Sequence, residues 1–112
     1  MLQYKIVPVT PFQQNCTVLW CDETRQAAVV DPGGDVVHIL AAIRAAGADP
    51  VKILLTHGHM DHVGGTAELA ERLALPIEGP HRDDDFLLQS LPQQARMFGV
   101  APVRSFETGR WL

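Results

Sequence analysis

The stretch Val51-Lys52-Ile53-Leu54-Leu55 is apolar but for one lysine, and it runs straight into Thr56-His57-Gly58-His59-Met60-Asp61-His62. So short and uniform an apolar run suits an internal strand of a parallel sheet, covered on both faces. Three of the five histidines, with an aspartate among them, therefore leave the carboxyl end of one strand together. Open sheets place ligands at that end, because the loops there converge while the strands hold them rigidly. Imidazole nitrogens and a carboxylate oxygen are donors that suit Zn²⁺ and also tolerate Fe²⁺ or Mn²⁺, and Gly58 allows the turn to be tight. His57, His59, Asp61 and His62 are the candidate metal ligands.

The flanking chain predicts an α/β fold with a mixed sheet. Leu2, Tyr4 and Ile6 alternate with Gln3 and Lys5, the pattern of a half-buried edge strand that Pro8 should end. The runs Cys16 to Cys21 and Gln26 to Asp31 read as a hairpin closed by polar Asp22-Glu23-Thr24-Arg25. Val30-Asp31-Pro32-Gly33-Gly34 should stop the second of these, with the paired glycines allowing positive φ. Asp35 can cap a helix carrying Val36, Ile39, Leu40 and Ile43, stopped by Gly47 before Pro50. The Val51 strand then comes by a crossover, parallel to the Gln26 strand. A second helix carries Val63, Ala67, Leu69, Ala70 and Leu73 and stops near Pro76, with Ile77 in a short extended piece. Between His81 and Phe98 helical segments are expected with Phe86, Leu87 and Leu91 inward and a break at Pro92, and after them an extended piece from Val103 to Phe106.

At 112 residues the chain has the size of one domain. A formal charge of -4 without clustered Lys and Arg argues against a nucleic-acid partner, and no apolar run is long enough to span a membrane. Met1 to Thr10 lacks the pattern of a secretory signal, so a cytoplasmic location is expected. Cys16 and Cys21, five positions apart in one strand, point to opposite faces and cannot pair with each other. His38 reads as a surface side chain of the first helix. His81, ahead of Arg82 and three aspartates, reads as the start of a helix whose acids favour its N-terminal end.

The pattern His57-x-His59-x-Asp61-His62 resembles the signature of the metallo-β-lactamase superfamily. Val30-Asp31-Pro32-Gly33-Gly34, Thr56-His57 and Val63-Gly64-Gly65 look like its glyoxalase II branch, the hydroxyacylglutathione hydrolases. Histidine at position 62 is absent from many true β-lactamases of this fold, and the flavo-diiron branch carries an acid where His59 stands. The resemblance implies that His57 and His59 bind one metal and that Asp61 and His62 bind a second. It also implies that Asp61 orients the nucleophile and that Asp31 lies behind the ligands. The expected cofactor is Zn, two ions per complete site, with Fe or Mn as alternatives. The implied reaction is hydrolysis of a small-molecule thioester such as an S-2-hydroxyacyl-glutathione. The same site also suits a lactonase or another esterase, an iron-dependent persulfide dioxygenase, or a non-catalytic remnant or subunit.

Four donors cannot complete two metal sites, and no further ligand motif occurs after Gly65. The family fold is an αββα sandwich, of which this chain can supply about one half, so residues 1–112 read as the N-terminal part of a single domain, inactive beyond trace alone. The helices after Asp35 and around Val63 can cover only one face of the sheet. The other should stay open, to be covered by self-association or by the missing C-terminal half.

Overall fold

The computed structural model describes residues 1–10, 14–97, 99 and 103–112. Its strands β1 (Leu2–Val9), β2 (Gln14–Cys21), β3 (Gln26–Val30), β4 (Asp49–Leu54) and β5 (Ile77–Glu78) form one sheet in sequence order. The pairs β1–β2 and β2–β3 are antiparallel, while β3–β4 and β4–β5 are parallel. The expected hairpin and the expected crossover from β3 to β4 are thus present, and a second crossover leads from β4 to β5. Pro8 does not end β1, which continues to Val9. At the sheet edge a residue lacking N–H costs no ladder bond. β4 starts earlier than the apolar run, at Asp49, whose N–H donates to the Arg25 carbonyl.

The crossover from β3 is α1 (Val36–Ala46), which buries Val36, Ile39 and Ile43 and ends at Gly47 with φ 64°. Asp35 does not cap it with its side chain. Its carboxylate accepts from Thr10 N–H, while its backbone carbonyl takes the N–H groups of His38 and Ile39. The second helix is split into α2 (Met60–Val63) and α3 (Thr66–Leu73), because Gly64 and Gly65 press their backbones against Pro32 and Gly33.

After β5 come a 3₁₀ turn (Arg82–Asp84), α4 (Asp85–Gln89) and α5 (Leu91–Met97). His81 opens the turn as expected, its Nδ1 accepting from Asp83 N–H. The inward residues are Leu88, Leu91 and Ala95, whereas Phe86 is 68% exposed and Leu87 half-buried. Leu88, Leu91 and Ala95 keep the i, i+3, i+7 spacing of one helical face, and Phe86, two positions before Leu88, falls on the opposite side. Pro92 does not break a helix but stands in the first turn of α5, where an N–H would have no partner. Phe98 lies outside the described residues. Val103 and Phe106 pack half-buried on the core without joining the sheet; the chain touches β5 instead through a bridge between Glu78 and Arg110.

Register decides which side chains meet. Val7 lies opposite Cys16, Val18 opposite Val29, Val29 opposite Ile53 and Ile53 opposite Ile77, so all share one face. On it α1 packs against β1 and β2, α2 against β2 and α3 against β4. The apolar set of β1 points the other way: Leu2, Tyr4 and Ile6 are 71%, 67% and 45% exposed. Leu19, Val30 and Leu54 share that second face and are only half-buried. It is the open face that two helices on one side leave behind. No helix among the described residues is long and apolar enough to cross a membrane.

Candidate metal centre

β3 and β4 run parallel and end side by side, so the loop leaving one strand meets the loop leaving the other. Asp31 extends the ladder by one bond, its N–H donating to Leu54 O at 3.0 Å. It then turns with φ 53° and buries its side chain to 7% exposure. Oδ1 accepts from Thr56 N–H at 2.8 Å, and Oδ2 accepts from Thr56 Oγ1 at 2.6 Å. A buried carboxylate demands such donors, and here they come from the residue immediately before His57.

The strained turn explains the local glycines differently from the sequence pattern. Positive φ falls on Asp31 and Asp35, not on Gly33 or Gly34. What Gly33 supplies is room, since a Cβ there would overlap the backbone carbonyl of Asp61. Gly65 N–H donates to Pro32 O at 2.7 Å, locking the two loops together. Gly58 is likewise enclosed, by Leu87 and Asp84.

The side chains converge above these loops. His57 and His62 have ring centroids 3.8 Å apart, and His57 and His59 5.2 Å apart. Asp31, His57 and His62 each offer one ligand atom, all within 4.8 Å of one another. Asp61 Oδ2 lies 3.6 Å from His62 Nε2, so Asp61 and His59 stand at the rim of this group. His38, by contrast, is exposed on α1 and is not among the grouped ligands.

His62 Nδ1 faces Asp31 Oδ2 at 3.1 Å. A neutral imidazole that donates from Nδ1 carries its lone pair on Nε2, the atom turned toward Asp61. Gln14 Nε2 lies 3.1 Å from the same Nδ1 and donates to the Asn15 carbonyl, while Gln14 Oε1 is buried without a hydrogen-bond partner among the described residues. His57 Nδ1 meets Thr56 Oγ1 at 3.0 Å. Burial, then the neighbouring His62, holds His57 below the usual histidine range, which favours the neutral form that ligates metal. The donor set therefore fits a transition-metal ion: imidazole nitrogens, a carboxylate at hand, and one ring contacted from behind by a second carboxylate. Cys16 is no competitor, since burial first and the Asp31 charge second push its thiol up to about 12.

Three groups were not legible as site residues: Gln14, Asp84 and Gln94. Each reaches the loop from a distant part of the chain, Gln94 across 34 positions to Met60, and nothing in local pattern marks such a contact.

A family model described as the metallo-beta-lactamase superfamily matches residues 9–111. The hydroxyacylglutathione hydrolase GloC of Haemophilus influenzae is 41% identical over 111 residues, which cover 99% of this chain and 52% of that protein. Among solved structures, TTHA1623 in a di-iron-bound form matches with TM-score 0.83 and 34% identity, over 95% of this chain and 52% of that one. The BLEG-1 B3 metallo-beta-lactamase matches with TM-score 0.83 and 28% identity, over 98% of this chain and 53% of that one. The chain thus spans about half the length of these relatives.

Proposed function

Since the chain belongs to the metallo-β-lactamase superfamily, we propose that the whole protein is a metal-dependent thioester hydrolase of the hydroxyacylglutathione hydrolase type, located in the cytoplasm, with residues 1–112 forming the N-terminal part of its catalytic domain. The observation that carries this is the convergence of His57 and His62 on Asp31 at the ends of two parallel strands, in a chain 41% identical to a hydroxyacylglutathione hydrolase. His57, His59, Asp61 and His62 would hold metal, with zinc the expected ion. A bound ion supplies an acidified water near neutral pH and polarises the thioester carbonyl.

The chain's own groups do the rest. Asp31 would hold His62 in one tautomer, Thr56 ties that carboxylate to the start of the loop, and Asp61, about one-third exposed, would orient a water against the acyl carbon. The thiolate leaves without needing a proton, because thiols are far more acidic than alcohols. The di-iron form of a relative at 34% identity favours testing iron beside zinc. The test is thiol release from an S-2-hydroxyacyl-glutathione by full-length protein loaded with Zn²⁺ or Fe²⁺. Turnover that disappears in His59→Ala supports the proposal. No turnover with either metal refutes the hydrolase reading, and oxygen consumption with a persulfide replaces it by the dioxygenase.

A further inference from the structure

The metal loop is braced from one side by a segment far along the chain. The N–H groups of Gly58 and Met60 flank His59, and Met60 opens α2, where the first N–H groups of a helix have no partner inside it. Gly58 N–H donates to Asp84 Oδ2 at 3.0 Å, and Met60 N–H donates to Gln94 Oε1 at 3.0 Å. Gln94 is itself fixed: its Nε2 donates to Leu87 O at 2.9 Å and to Ser90 Oγ at 3.1 Å. The helical segment that carries these residues is rooted in the core, with Leu88 and Leu91 fully buried and Ala95 at 1% exposure. Leu87 Cβ stands only 3.1 Å from where a Cβ on Gly58 would sit, so the brace touches the loop directly.

We propose that Asp84 and Gln94 are positioning residues for the metal loop, holding its backbone on both sides of His59 so that His59 and Asp61 stay turned toward His57 and His62. The inference rests on the reading of this loop as a metal site. Its physical logic is that of any supporting shell: a ligand on a loop keeps its geometry only if the backbone beneath it is held, and losing such a partner weakens metal binding. A purely structural brace predicts lost stability with metal affinity intact, so the two roles separate.

The experiment is Zn²⁺ titration against a chromophoric chelator, with Co²⁺ absorption spectra, on full-length protein and on Gln94→Met, Gln94→Glu, Asp84→Ala and Asp84→Asn. Gln94→Met and Asp84→Ala remove the acceptor, and Gln94→Glu sets a carboxylate oxygen against the Leu87 carbonyl in place of the Nε2 donor, so all three should weaken Zn²⁺ binding about 10- to 100-fold and shift the Co²⁺ bands, whereas Asp84→Asn keeps an acceptor and should stay within about threefold. Should Gln94→Met fail to fold, Asp84→Ala at its half-buried site carries the test. Unchanged Zn²⁺ affinity in the acceptor-deleting variants overturns the positioning role, whatever their melting temperatures. If the unmodified protein binds neither ion, the metal reading of the loop falls first and the positioning role with it.

Discussion

Replacing Asp31 by Asn separates the orientation of His62 from the stability of the fold. The carboxylate accepts three contacts, from Thr56 N–H, Thr56 Oγ1 and His62 Nδ1. Asn can keep the first through its carbonyl oxygen and can donate its amide to the Thr56 hydroxyl, which accepts as readily as it donates. At His62 no such exchange is free. Either Nδ1 becomes an acceptor, which moves the proton to Nε2 and removes that nitrogen as a ligand, or two N–H groups face each other at 3.1 Å. Leaving a buried polar group unsatisfied costs about 1–3 kcal/mol, which is about 5- to 140-fold in metal affinity at 1.4 kcal/mol per tenfold. The metal-free protein should lose only about 1 kcal/mol, the difference between a charged and a neutral acceptor for the Thr56 donors. Competition titration with Zn²⁺ on full-length protein, paired with thermal unfolding of the metal-free form, reads both quantities. Metal affinity in Asp31→Asn equal to that of the unmodified protein would show that Asp31 does not set the His62 tautomer.

Packing and exposure set three other expectations. Gly33→Ala drives a Cβ into the Asp61 carbonyl and should destabilise the protein by about 1–3 kcal/mol in denaturant titration, even though its φ is not in the left-handed region. A fully tolerated alanine would mean that the two loops do not interlock. The 112-residue chain alone exposes Leu2, Tyr4 and Ile6 on its open sheet face and should associate as concentration rises in sedimentation, while Ile6→Lys shifts it toward monomer. A sharp, concentration-independent monomer transition would contradict this. In the same chain at about pH 8, Cys21 should be alkylated well before Cys16. Hydrogen bonds from Thr24 hold the Cys21 thiol below its usual range and enlarge its thiolate fraction, while Cys16 is pushed up to about 12 and stays protonated. Peptide mapping after brief iodoacetamide treatment reads the ratio, and equal labelling refutes the assignment.

Local chemistry made much of this protein legible in its sequence. The alternation of strand, Gly-rich stop, amphipathic helix and apolar strand comes from periodicity and from glycine and proline, which act over a few residues. So does the placement of His57, His59, Asp61 and His62 at a strand end, because a parallel strand and the loop after it are contiguous in the chain. What the sequence left undecided depends on which distant backbone approaches which. The face of β1 that is covered was decided by α1, not by the apolar alternation of Leu2, Tyr4 and Ile6, since a strand's pattern says that two faces differ and not which one a helix will reach. Gly33 and Gly65 are required by the contact between two loops far apart in the chain, where Gly65 N–H reaches Pro32 O, and no φ preference announces such an approach. Asp31 could be placed near the ligands only by resemblance; that its carboxylate grips Thr56 and His62 is a consequence of β3 and β4 ending side by side. Gln14, Asp84 and Gln94 gained their roles in the same way, because a hydrogen bond depends on an approach to about 3 Å in space, a distance that separation along the chain does not encode.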